Sequence, residues 1–250
     1  MHTKYYDRAP IVEAIIDIQA RFITEPSIEG FEAVHAQILD VFPRKDPINF
    51  VQLGVSNLGE GTEAWQHEVG GGVVGLRLAS ENSSRVLQLQ RNSMTLSHMA
   101  PYDCWDSFRK EAMQYWHKYV EILKPDVVTR YAVRFINRIS IPAEKIELED
   151  YFNLYPRIPV GIPQNMNGMF LQLLMPQDDL GSGAAAVVNM GLVDPDKPDF
   201  VTVLLDFDVF RVVDTPTLSD DLWTGLDNVR ARKNELFEAS ITDKTRELIK

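Results

Sequence analysis

Residues 129–138 read Thr-Arg-Tyr-Ala-Val-Arg-Phe-Ile-Asn-Arg, and no other stretch restricts the fold as much. Apolar side chains recur at every second position, which is the period of a strand and not of a helix. Tyr131, Val133 and Phe135 share one face and require a core. Arg130, Arg134 and Arg138 share the other with Ala132 and Ile136. Residues 9–22 alternate in the same way. Val12, Ala14, Ile16, Ile18, Ala20 and Phe22 lie on one side; Ile11, Glu13, Ile15, Asp17, Gln19 and Arg21 lie on the other. Two long half-buried strands imply an antiparallel sheet with one covered face and one polar face.

The remaining elements fit around these strands. Ser27 caps an expected helix running to Phe42, with Phe31, Val34, Ile38 and Val41 as its apolar stripe and Pro43 as its stop. Strands are expected at 49–56, at 64–69 continuing past Gly70-Gly71-Gly72 into 73–79, at 85–90 and at 93–99. The glycines mark a turn or bulge, and Arg91-Asn92 is a two-residue hairpin turn. Asp103 is the expected cap of a helix with the stripe Trp105, Phe108, Ala112, Trp116, Val120 and Leu123, closed by Lys124-Pro125. The second half begins with a strand at 127–141 and a short helix at 148–154. Strands follow at 170–175, 184–193 and 200–211. Ser219 caps a long helix through Leu222, Leu226, Val229, Leu236 and Phe237 to about Ser240, and Thr242 caps a last short turn. Segments 155–168, 177–183 and 194–199 read as loops.

Each half, 1–125 and 126–250, thus reads strand, helix, several strands, long helix. This is a repeat of element order and not of sequence. The expected architecture is α+β: a largely antiparallel sheet, long helices packed on one face, and two structurally similar halves in one compact unit.

Composition excludes several functions. With 36 acidic and 25 basic residues the chain carries a net charge of −11. Residues 1–125 hold 12 basic and 16 acidic groups, and residues 126–250 hold 13 and 20, so neither half is a basic module. General nucleic-acid binding is not expected. One cysteine, Cys104, rules out an internal disulfide framework and suits a reducing, cytoplasmic compartment; it reads as a small core residue at a helix start. The apolar run at 11–18 is broken by Glu13 and Asp17, so it is neither a signal-peptide core nor a membrane span. The five histidines are scattered, and the phosphate-loop, nucleophile-elbow and zincin motifs are absent; Gly70, Gly72 and Gly75 have the G-x-G-x-x-G spacing, but the residues after them read as strand and not as the helix a dinucleotide site needs. No cofactor or metal is implied.

The candidate site is the polar sheet face. Successive arginines of the row are about 13 Å apart, at ~3.3 Å per residue, so one small anion cannot bridge them all. Glu13 and Asp17 share a face of the first strand, and Asp206 and Asp208 share a face of the 200–211 strand. Two arrangements fit. The charges form a cross-strand lattice that needs no ligand, or they line a groove for an anionic or peptide ligand. Asn137 falls on the core side near the strand's end and reads as a buried amide that holds a loop backbone.

Ala9-Pro10-Ile11-Val12-Glu13-Ala14-Ile15, Val86-Leu87-Gln88-Leu89-Gln90-Arg91, Arg134-Phe135-Ile136-Asn137-Arg138-Ile139, Leu205-Asp206-Phe207-Asp208 and Phe237-Glu238-Ala239-Ser240-Ile241-Thr242 occur in this order. Together they resemble a family of proteins of about 250 residues, distributed sporadically among bacteria and archaea, whose activity is uncharacterised. The resemblance covers nearly the whole chain and implies a free-standing protein. It brings no reaction, cofactor or catalytic set. Sporadic distribution implies an accessory role such as defence or stress.

The function expected from these readings is non-enzymatic binding through the polar face or a groove, with Glu13, Asp17, Arg130, Arg134, Arg138, Asp206 and Asp208 as the binding residues. The partner would be a protein or an anionic small ligand, and a homodimer is compatible. One alternative is an enzyme acting on an anionic small molecule through an arginine clamp. Another is an inhibitor in a bacterial conflict system whose acidic surface covers a basic effector.

Overall fold

The computed structural model describes residues 6–56 and 65–250, without the side chains of 51–56 and 65–70. It is an α+β fold with one antiparallel sheet of nine strands. In chain order the elements are β1 (Ile11–Arg21), α1 (Ile28–Ala36), β2 (Arg44–Ser56), β3 (Trp65–Ala79), β4 (Arg85–Gln90), β5 (Ser93–Met99) and α2 (Trp105–Leu123). Then come β6 (Val127–Pro142), α3 (Leu148–Tyr151), β7 (Phe170–Pro176), β8 (Ala184–Val193), β9 (Phe200–Pro216), α4 (Asp220–Ser240) and α5 (Asp243–Ile249). The strand order is β2-β3-β4-β5-β1-β6-β9-β8-β7. The two long alternating strands, β1 and β6, pair with each other at the centre, so the sheet runs unbroken across the boundary at residue 125.

The period-two alternation of both strands becomes burial. Ala14, Ile16 and Ile18 of β1 are inaccessible to solvent, and Tyr131, Val133 and Phe135 of β6 are buried with them. They share a cluster with Phe108, Ala112 and Trp116 of α2 and Leu222, Leu226 and Val229 of α4. The α2 stripe is wider than its spacing predicts. Tyr115 and Tyr119 are also buried, with Tyr119 stacked on Trp116 at 5.1 Å and Tyr115 edge-on to Phe42 at 5.2 Å. Such aromatics each remove a large area from water and anchor the helix on the sheet. A second cluster gathers Val188, Met190, Val203, Leu205, Phe207, Phe237 and Ile241.

Local differences from expectation have local causes. Ser27 caps α1 by accepting a hydrogen bond from the Gly30 amide, but α1 ends at Ala36 and turns follow. His35 Nε2 lies 2.8 Å from the Phe42 carbonyl oxygen and ties down this turn region, which buries Phe42 and leaves Val41 39% exposed. The strand β2 starts at Arg44, earlier than residue 49, with Pro47 inside an edge strand where a missing amide is tolerated. The strand β3 runs through the glycines, and β2 meets it with register shifts at Ile48/Asn49 and Gln52/Leu53. Residue 64, the expected start of that strand, lies outside the described residues. The turn Arg91-Asn92 is confirmed, since Gln90 pairs with Ser93.

At the start of α2 the cap position belongs to Cys104, not Asp103, and Cys104 is exposed, not a core residue. Asp103 is instead drawn to Arg85 (3.4 Å) and His98 (3.0 Å). Lys124, at φ +53°, closes the helix in the left-handed conformation. The strand β9 continues to Pro216, and α3 is only four residues long.

One buried charge stands out in the core. Lys233 of α4 is 7% exposed, and its Nζ lies 3.7 Å from the centroid of the Phe135 ring. It has no hydrogen bond or ion pair among the described residues. Burial pushes its pKa down to about 7, with the like charge of Arg230 adding to the effect.

The polar face as candidate functional site

The register of the central strands stacks their outward residues in rows. Gln172, Asn189, Asp206, Ile136 and Glu13 form one row; Leu174, Val187, Asp208, Arg134 and Ile15 form the next; Pro176, Ala185, Phe210, Ala132, Asp17 and Thr95 form a third. Direct cross-strand partners bring Arg134 opposite Asp208, yet its strongest contact is diagonal, within the reach of a long side chain. Arg134 donates from Nε and Nη2 to the two oxygens of Asp206 at 2.8 and 2.7 Å. This bidentate pair uses the planar fork of the guanidinium. Asp206 is 3% exposed and also accepts from Asn189 Nδ2 at 2.9 Å. The hydrogen bond to Asp206 raises the pKa of Arg134, so the guanidinium is always charged.

Arg130 lies along its strand over the third row. Its guanidinium carbon sits 4.4 Å from the Phe210 ring centroid. From there Nη1 reaches Asp17 at 2.9 Å and Nη2 reaches Asp208 at 3.2 Å. Ala132 beneath is 2% exposed; its small side chain leaves the room this path needs. Asp17 also accepts from Thr95 Oγ1 at 2.7 Å and Gln19 Nε2 at 3.2 Å. Asn189 in turn accepts from Gln172 at 2.8 Å. These contacts form two hydrogen-bonded groups, one across β5, β1, β6 and β9 and one across β6, β9, β8 and β7; the charge of Asp208 beside Arg134 couples them into one electrostatic network.

Asp208 is the least satisfied member. Its Oδ1 is buried without a hydrogen-bond partner. Burial raises its pKa against the opposing pull of Arg130 and Arg134, and the like charges of Asp17 and Asp206 raise it further.

The structure brings five of the seven predicted residues into this network: Asp17, Arg130, Arg134, Asp206 and Asp208. Arg138 stands apart, holding the β8–β9 connection through the Asp194 carbonyl (2.6 Å) and Asp196 (2.8 Å). Glu13 makes no hydrogen bond or ion pair among the described residues. Asn137 is 3% exposed and donates to the carbonyls of Phe135 and Leu205, strand backbone and not loop. Sequence reasoning missed Thr95, Gln172, Asn189 and Phe210. Gln172 and Asn189 did carry a signal, as polar residues in otherwise apolar strands.

Two shallow grooves, of about 310 Å³ beside Asp150, Tyr151 and Lys244 and about 500 Å³ beside Ile38, Tyr115 and His117, are lined by no residue of the network. Among the described residues no group of three or more His, Cys, Asp or Glu side chains is arranged to hold a metal ion. No described helix is long and apolar enough to cross a membrane. A scan against protein-family models and a search of curated proteins each returned no match.

Proposed function

We propose that the chain is a non-enzymatic, cytoplasmic binding protein that presents the polar sheet face to a macromolecular partner. The observation that carries this reading is the internal engagement of the arginine row. Arg130 and Arg134 are already held by Asp17, Asp206 and Asp208, and Arg138 by Asp196. Guanidinium groups committed in this way form a fixed pattern of charge, suited to recognising a complementary surface more than to clamping a small anion. Rigid side chains also lose little freedom on binding. In this reading the long helices cover one face of the sheet and leave the other open. The two halves are a duplicated unit, supported by the common element order and by the central pairing of β1 with β6. The family resemblance and an accessory role in defence or stress, including inhibition of a basic effector, belong to the same proposal.

Site-specific photo-crosslinking in the native host tests it. Val212 on the polar face and Leu39 beyond α1 are 54% and 52% exposed, so a crosslinker at either position meets solvent equally. An adduct of defined mass from position 212 and none from position 39 supports the reading. Equal labelling, or none at 212, removes it.

One observation favours the enzyme alternative. Asp208 is a carboxylate with an unpartnered oxygen beside two guanidinium groups, the arrangement of an acid next to an anion site. If that alternative holds, inorganic phosphate raises the melting temperature of the wild type and not of Arg134→Ala.

A further inference from the structure

The longest run of the chain free of charged and histidine side chains is 158–177, in a protein of net charge −11. It contains β7, a terminal strand that pairs with β8 and, among the described residues, with no other strand. Hydrogen bonds at both ends show which way its backbone points. Leu192 N donates to Met169 O at 3.1 Å, and Gln177 N donates to Ala184 O at 2.9 Å. The odd-numbered residues thus face β8. Backbone groups alternate sides along an antiparallel strand, so Phe170, Gln172 and Leu174 direct their N–H and C=O groups to the free edge.

The even-numbered side chains of this strand are exposed, while Leu171, Leu173 and Met175 pack on the second core cluster. Phe170 is 72% exposed and Leu174 is 68% exposed. Val160 and Ile162, in the preceding loop, are exposed as well. Edge strands are ordinarily blunted by charge, by a bulge or by a proline within the strand. The pairing of β7 with β8 has no register shift, the strand has no charge, and its one proline, Pro176, is its last residue.

We propose that β7 pairs antiparallel with β7 of a second copy, about a twofold axis at Gln172. Opposed residues in an antiparallel pair point to the same face, so the axis must pass through a residue. At Gln172 every free N–H and C=O of Phe170, Gln172 and Leu174 finds a partner. An axis at Leu173 or Leu174 would instead set Pro176, which has no N–H, opposite one of them. In the Gln172 register Phe170 meets Leu174 of the partner subunit, an aromatic–aliphatic cross-strand pair, on either side of a Gln–Gln pair. The occupant is a second copy because the strand is complementary to itself in this register. Charge agrees: two acidic chains repel over most of their surfaces and approach at least cost where neither bears charge. The proposal rests on the backbone edge and is independent of the polar-face reading.

Sedimentation equilibrium and cysteine crosslinking of the full chain test it, the latter with Cys104→Ser as background. The wild type is expected to be dimeric at ~100 μM, a concentration that populates even weak specific interfaces. Gln172→Cys should form a disulfide-linked dimer, since opposed Cα atoms in such a pair lie about 5.5 Å apart, within disulfide reach. Phe170→Cys should not, since its opposite number is residue 174. Gln172→Pro, which removes an edge N–H, and Leu174→Lys should each weaken the dimer about tenfold or more, corresponding to ~1.4 kcal/mol. A monomeric wild type at ~100 μM overturns the proposal. So does a dimer unweakened by both substitutions, or one crosslinked as readily through residue 170 as through residue 172.

Discussion

Replacing Lys233 by methionine should stabilise the protein, and by an amount that depends on pH in a way that identifies the cause. The folded chain releases the Lys233 proton near pH 7, whereas an unfolded lysine releases it near 10.5. At about 1.4 kcal/mol per pH unit, holding the charged ammonium in this site costs roughly 5 kcal/mol relative to water. A lysine depressed in the folded state leaves the unfolded chain binding more protons between these two values, so stability rises with pH across that window. Linkage puts the gain between pH 7 and pH 9 at about 2 kcal/mol from this group alone. Methionine fills the same channel beside Phe135 without a charge. At pH 7 the variant should therefore exceed the wild type by roughly 4 kcal/mol, and at pH 9 by roughly 2 kcal/mol. Urea unfolding at both pH values, followed by tryptophan fluorescence, measures this. An unchanged difference between the two pH values, or a variant less stable at pH 7, would refute the reasoning. Either result would show that the ammonium has a partner or solvent access in the folded state.

Other substitutions probe the sheet face and the helices. Arg134→Ala leaves Asp206 buried with only Asn189, so it should cost about 3 kcal/mol in urea unfolding. Asp206→Ala should cost less, because the half-exposed Arg134 can turn to water. Asp208 has a raised pKa in the fold, so its contribution favours folding at acid pH and is lost as pH rises through its folded value. Asp208→Asn should remove that slope, and parallel stability–pH curves for variant and wild type would contradict it. A Cβ added at Gly225 would lie 2.3 Å from the Tyr131 hydroxyl, so Gly225→Ala should force α4 off the sheet and cost about 2 kcal/mol in thermal unfolding. Ser27→Ala should cost about 1 kcal/mol through the lost cap on Gly30.

Much of the sheet was legible in the alternation of its strands. Ile16 and Val133 could be assigned to the core, and Asp17 and Arg134 to the opposite face, because a one-residue slip would reverse every side chain. Helix ends were less legible. Ser27 and Ser219 announced themselves as caps, but Asp103 was drawn from the cap position by Arg85 and His98, contacts between segments that local sequence does not relate.

For the candidate site, local pattern determined which side chains share a face. Pairing was decided only by register: Arg134 binds Asp206 diagonally while facing Asp208, and Arg130 crosses Phe210 to join β1 and β9. Arg138 belongs to the same row in sequence and was separated from the network by a loop that brought Asp196 to it. Periodicity acts over a few residues and is written in the chain. Strand order, diagonal reach and the identity of the free edge depend on contacts distant in sequence, and only the tertiary structure decides them.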